Sequence, residues 1–113
     1  MRLEAKKHLE DVRQATVLLG RFVAGKCVDD YRADPMLSSA IERQFEVIGE
    51  ALNRLLRLEP SLESRITDAR RIIDFRNVLI HAYDVVDENV VWDILERKLP
   101  VLRKEVEQLL QTP

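Results

Sequence analysis

Along most of this chain the core-facing positions recur at alternating spacings of four and three, and no segment alternates with period two for long enough to make a strand. Ala5, Leu9, Val12, Thr16, Leu19 and Val23 form one stripe, and Ile41, Phe45, Ile48, Leu52 and Leu55 form another. A third helical segment carries IIDFRNVLIHAY, and a last one shows Val91, Leu95, Leu99, Leu102, Val106 and Leu109. Such stripes bury one face of a helix and leave the other to water. The expected fold is all-α, an up-and-down bundle of four main helices.

Local signals set the boundaries. Gly25 is a natural stop for the first helix, and the polar piece KCVDDYRAD leaves room for a short extra helical turn near 27–33. Asp34 followed by Pro35 reads as an N-cap and first helical residue. Gly49, beside the second stripe, signals close approach of another helix, and Pro60 closes that segment. Thr67 or Asp68 can cap the third helix and Asp87 the fourth, while Pro100 inside the last stripe predicts a kink or break near Lys98.

A chain of 113 residues is expected to form one domain, residues 1–113, burying about two-thirds of the surface of its unfolded form. Hydrophobic residues at 46% and charged residues at 34%, with three glycines and four prolines, fit a soluble helical protein and exclude disordered or fibrous classes. The opening MRLEAKKHLEDVR has no uninterrupted apolar run, which predicts neither a signal peptide nor a membrane span, and hence a cytoplasmic protein. Cys27 is the single cysteine, so no intrachain disulfide or thiolate metal cluster is expected, and no metal or cofactor is assigned.

The net charge of −2 excludes a protein whose whole surface attracts nucleic acid, so any such binding has to be local. Arginine dominates among the cations, and its planar fork grips phosphate bidentately where lysine offers a point charge. Arginines 54, 57, 65, 70, 71 and 76 against Glu59, Glu63, Asp68 and Asp74 make one modestly basic neighbourhood.

Within it the stretch FRNVLIHAYD holds an arginine, an asparagine, a histidine and a tyrosine in an otherwise apolar run. At about 100° per residue, Ala69, Ile72, Ile73, Phe75, Leu79, Ile80, Ala82 and Tyr83 share one broad arc, with Arg76 in its middle. A guanidinium facing a core needs an acid, a neighbouring chain or an incoming phosphate; Glu46 and Glu50 are candidate acids. Asn77 and His81 share another face, and His81 lies about 140° around the helix from Arg76. The two converge on one site if the helix ends near His81, or if a second copy of the chain completes the site across a two-fold axis. Arginine and histidine together suffice to cut RNA: a base deprotonates the 2′-hydroxyl and a cation neutralises the phosphorus oxygens, with no metal required.

Arg76, four residues, His81, one residue and Tyr83, with Asn77 after the arginine, resembles the signature of the HEPN superfamily and of its HepT toxin branch. AIERQFEVIGEALNRL is similar to that family's second long helix, and VVDENVVWDILERKLPVLRKEVEQLL resembles its last, Trp92 and Pro100 included. The resemblance implies a HEPN-like homodimer in which two copies of the motif face one cleft, and a metal-independent endoribonuclease acting as the toxin of a type VII-like toxin–antitoxin pair. Arg76 and His81 are then catalytic and Asn77 supporting. The implied partner, besides RNA, is an MntA-type nucleotidyltransferase antitoxin that transfers adenylyl groups from ATP to the motif tyrosine, here Tyr83. An adenylate two residues from His81 adds negative charge and bulk where a phosphodiester must dock.

Two rivals are of other classes. A non-catalytic helical subunit of a nucleotidyltransferase complex would use Arg76 to grip nucleotide phosphate and would leave RNA uncut. A plain structural dimer would use Arg76 for assembly alone.

Overall fold

The computed structural model describes residues 1–81 and 86–113, His81 by its backbone alone. All regular structure among the described residues is helical. The order is α1 (Leu3–Val23), α2 (Val28–Ala33), α3 (Pro35–Leu58), a 3-10 helix (Pro60–Arg65), α4 (Ala69–His81), α5 (Glu88–Asp93), a π-helical segment (Ile94–Lys98) and α6 (Leu99–Leu110).

Helix α3 is the spine, with α1 and α4 both packed against it and α6 packed against α1. The Arg2 N–H donates to Glu59 at 3.1 Å, and the Met1 amino group donates to the Pro113 carbonyl at 3.0 Å. The start of α1 therefore lies beside the ends of both α3 and α6, which makes α1 antiparallel to each. The stripes read from the sequence form the core between them: Leu9, Val12, Ile41, Ile48, Leu52 and Val106 are each 0% exposed. Each fully buried side chain of this kind contributes roughly 1.5–3 kcal/mol. Thr16 sits in its stripe because its hydroxyl is satisfied locally, donating to the Arg13 carbonyl at 2.7 Å.

The start and stop signals act through identifiable groups. Gly25 has φ 71°, the left-handed conformation that ends a helix at no steric cost, two residues past Val23. Asp34 accepts from the N–H groups of Met36 (3.0 Å) and Leu37 (3.3 Å), with Pro35 in the first turn where its missing N–H costs nothing. Asp87 caps α5 through the Asn89 N–H at 2.9 Å. The short turn expected near 27–33 is α2, whose buried Tyr31 packs on Trp92 with ring centroids 6.3 Å apart and donates its hydroxyl to Glu42 at 2.7 Å. Burial, reinforced by that carboxylate, pushes the Tyr31 phenol far above its ordinary pKa.

Three details differ from the sequence reading. The segment after Pro60, to which the sequence reading assigned no element, is a 3-10 helix that buries Leu62. Thr67 and Asp68 turn to the C-terminal half of the chain at the start of α4: the Thr67 hydroxyl donates to Glu105 at 2.9 Å, and Asp68 accepts from Lys98 at 2.7 Å while holding φ 57°. A left-handed backbone of this kind costs on the order of 1 kcal/mol for a residue with a side chain. Finally, Ile80, expected on the buried arc of α4, is 37% exposed, and neighbouring Val78 is 47% exposed. The apolar face of α4 runs past the cover that α3 supplies.

At Pro100 the expected break near Lys98 takes the form of the π segment, in which the Leu99 N–H reaches back five residues to the Ile94 carbonyl. A proline ring clashes with the carbonyl four residues earlier in a regular helix, and one wide turn removes that clash while the chain keeps its direction.

Candidate functional site

The site is built where α4 crosses α3. Phe45 of α3 and Phe75 of α4 meet edge to face, with centroids 5.3 Å apart and planes inclined by 73°. Such a pair adds about 0.5–1.5 kcal/mol beyond the area it buries. It also fixes the rotation of α4, so that the next residue, Arg76, is delivered to a defined place on α3.

That place is Gly49. A Cβ on Gly49 would stand 2.6 Å from the Arg76 Cβ, 2.9 Å from its Cδ and 3.0 Å from its Cγ. The missing side chain is therefore the space through which the aliphatic stem of Arg76 passes. The close approach predicted from Gly49 is real, and the neighbouring side chain is the motif arginine itself.

Beyond Gly49 the guanidinium meets Glu50, to which Nη1 donates, and Nη2 donates to the Asn77 side-chain oxygen at 3.2 Å. Glu50 was one of the two acids the sequence offered; Glu46, the other, pairs with Arg43 at 3.4 Å. The Arg76 side chain is 16% exposed and that of Glu50 48%. The Arg76 Nε is buried and has no hydrogen-bond partner among the described residues. A buried donor left this way costs about 1–3 kcal/mol, so the surroundings impose this orientation on the guanidinium.

Glu50 also accepts from Arg54 Nε at 2.8 Å. The Arg54 hydrogen bond, with the charges of Arg54, Arg76 and Arg57 adding to it, holds the Glu50 carboxyl below the usual range. Three arginines around one carboxylate leave the site net positive, as a phosphate-binding surface requires. The chain's other histidine, His8 on α1, lines the groove on the far side of Glu50 together with Arg54, a neighbourhood no local sequence signal had indicated.

Asn77 is exposed and turned to Arg76. The described span of α4 reaches the backbone of His81; the expected helix end there falls outside the described residues, and so does the convergence of Arg76 with His81. Its side chain, and all of Tyr83, lie outside the described residues.

Two carboxyls near the ends of α4 are held low, Glu50 by its arginines and Asp68 first by the Lys98 hydrogen bond. A group with a lowered folded pKa stabilises the fold above its unfolded value, 4.5 for Glu50 and 3.8 for Asp68, and that stabilisation is lost as the pH falls through the folded value. Urea unfolding should therefore show stability falling between about pH 5 and pH 3, less steeply in Glu50→Gln. An identical slope in the variant would show that the Glu50 cluster contributes nothing. Both carboxylates touch water, so added salt should shrink the effect.

Residues 9–109 match the family model described as "Ribonuclease HepT-like". A chain of Thermococcus cleftensis named "Probable ribonuclease HepT" is 33% identical over 113 residues, covering 96% of this chain and 98% of that one. A second relative, from Caldanaerobacter subterraneus and provisionally named an RNase, is 31% identical over 106 residues, or 94% of each chain. No solved structure gives a significant match. With a match spanning α1 to α6 and the motif arginine seated at the α3–α4 crossing, the chain belongs to the ribonuclease HepT-like family of the HEPN superfamily.

Proposed function

We propose that this protein is a metal-independent endoribonuclease, the toxin of a type VII-like toxin–antitoxin pair, working as a cytoplasmic homodimer of four-helix bundles. The observation that carries the reading is the seated Arg76: a guanidinium held in place by Gly49, Glu50 and Asn77, on the helix that carries His81 five residues on, in a chain of a ribonuclease family. The exposed Ile80, about 40° around the helix from Arg76, supports pairing of two copies, since an apolar side chain left uncovered next to a charged site is what a two-fold interface covers.

In the reaction His81 takes the proton of an RNA 2′-hydroxyl, and the freed oxygen attacks the adjacent phosphorus. Arg76 neutralises the charge that builds on the non-bridging oxygens. The bond from phosphorus to the 5′-oxygen breaks, and that oxygen leaves with a proton returned by a histidinium, His81 of the same or the second copy. The products are a 2′,3′-cyclic phosphate and a 5′-hydroxyl. Asn77 supports Arg76. Tyr83, adenylylated by an MntA-type nucleotidyltransferase antitoxin, would carry negative charge to the mouth of the site and repel the RNA backbone.

The test is the chemistry of the ends. Purified protein in excess chelator should cut single-stranded RNA and leave 2′,3′-cyclic phosphates, and prior treatment with the nucleotidyltransferase and ATP should stop it. Cleavage that needs a divalent ion, or that leaves 5′-phosphates, would sink the mechanism. The Arg76–Glu50 ion pair also suits the rival reading of a non-catalytic nucleotide-binding subunit. Affinity for ATP or the transferase with intact RNA and no growth arrest is its signature.

A further inference from the structure

We propose that Gly49 and Glu50 of α3 are the positioning residues of Arg76, so that the catalytic arginine is aimed by a helix that contributes no group to the motif. The inference rests on the ribonuclease reading above and adds to it two residues that act through a third.

Three observations point the same way. The Cβ a side chain at position 49 would carry falls 2.6 Å from the Arg76 Cβ, an atom fixed to the backbone of α4, so α4 itself would have to move to make room. Glu50 then holds Nη1 and Asn77 holds Nη2, which fixes the plane of the guanidinium. Meanwhile Nε stays buried without an acceptor among the described residues. An arginine that served only to neutralise Glu50, a carboxylate already paired with Arg54, could turn its head into water and satisfy all its donors. This one is held with Nε unmet among the described residues, as expected where the surroundings impose one orientation at a functional site.

Glu50 also sets the charge arithmetic. It lies between Arg76 and Arg54, so removing its charge makes the site more attractive to RNA while leaving the arginine unaimed. Aim and attraction therefore separate in the kinetics. Glu50→Gln should lower kcat about tenfold and leave KM unchanged or lower, because the lost contribution appears when charge develops on phosphorus and not when RNA docks. Gly49→Ala should lower kcat to about the level of Arg76→Lys. Glu46→Gln, which touches only the Arg43 pair, should match wild type.

A double-mutant cycle decides whether Glu50 acts through Arg76. In an Arg76→Lys background the further effect of Glu50→Gln should shrink to within about twofold. A full tenfold loss persisting there, or kcat in the single variant staying within about twofold of wild type, would overturn the proposal. Should Gly49→Ala fail to fold, Glu50→Gln, whose melting temperature is read alongside, carries the test alone. The Arg76 Nε–H resonance is independent of activity: it should be sharp and slow to exchange in wild type and lost in Glu50→Gln. If the wild type cuts no RNA, the ribonuclease reading falls while that resonance still decides the seat, since a signal unchanged in Glu50→Gln overturns it.

Discussion

Replacing His81 by alanine is expected to lower the rate of RNA cleavage by about 10²–10⁴-fold, the range that loss of a general base or acid produces. The loss should fall on kcat, because in the proposed reaction the histidine moves a proton in the transition state and does not hold the RNA backbone. The melting temperature should move little, since the described core is built without His81. Arg76→Ala is expected to lose comparable activity for another reason. It removes the cation at phosphorus and leaves Glu50 answered by Arg54, so the site changes from net positive toward neutral. A single-turnover assay on end-labelled RNA reads both, and equal cleavage by wild type and His81→Ala would remove the histidine from the mechanism.

The second large effect is on stability. Phe45→Ala should destabilise the protein by about 3–5 kcal/mol, the usual result of emptying a buried aromatic site. Domains of this size are stable by about 5–15 kcal/mol, so such a loss brings the chain close to unfolding at physiological temperature. Phe45 is 2% exposed, and its ring is what Phe75 meets edge to face. Its removal should also loosen the rotation of α4 immediately before Arg76. Activity per folded molecule should therefore fall along with stability, although residue 45 touches no substrate. Urea titration measures the first part, and a loss under about 1 kcal/mol would show that the aromatic pair is not what docks α4 on α3.

The helices were legible in the sequence because burial imposes a period on the chain, and a period needs no knowledge of partners. The same holds for Gly25, Asp34 and Asp87, each of which acts on backbone within three residues of itself. The seat of Arg76 was legible only in halves: Gly49 signalled a close approach and Arg76 demanded an acid, but their meeting spans 26 residues from Glu50 to Arg76 and depends on how two helices cross. Asp68 takes the N-cap position, its carbonyl accepting from the Ile72 N–H at 3.0 Å, but its side chain was legible only in part. Its type suits a cap, yet its carboxylate is taken by Lys98, 30 residues away. Ile80 shows the limit of helical winding, which orders side chains around an axis and says nothing about how far the neighbouring helix extends. The catalytic pairing of Arg76 with His81, and the role of Tyr83, came from family resemblance and stand as proposals.

The wide turn at Ile94–Lys98 is what lets Pro100 stand inside a continuous apolar stripe. The last stripe runs Val91, Leu95, Leu99, Leu102, Val106 and Leu109, all of them buried, so the wide turn leaves both halves of the segment facing the core. The turn and Pro100 therefore work as one device: the ring that a regular helix would exclude at position 100 is accommodated without turning either half of the segment away from the core.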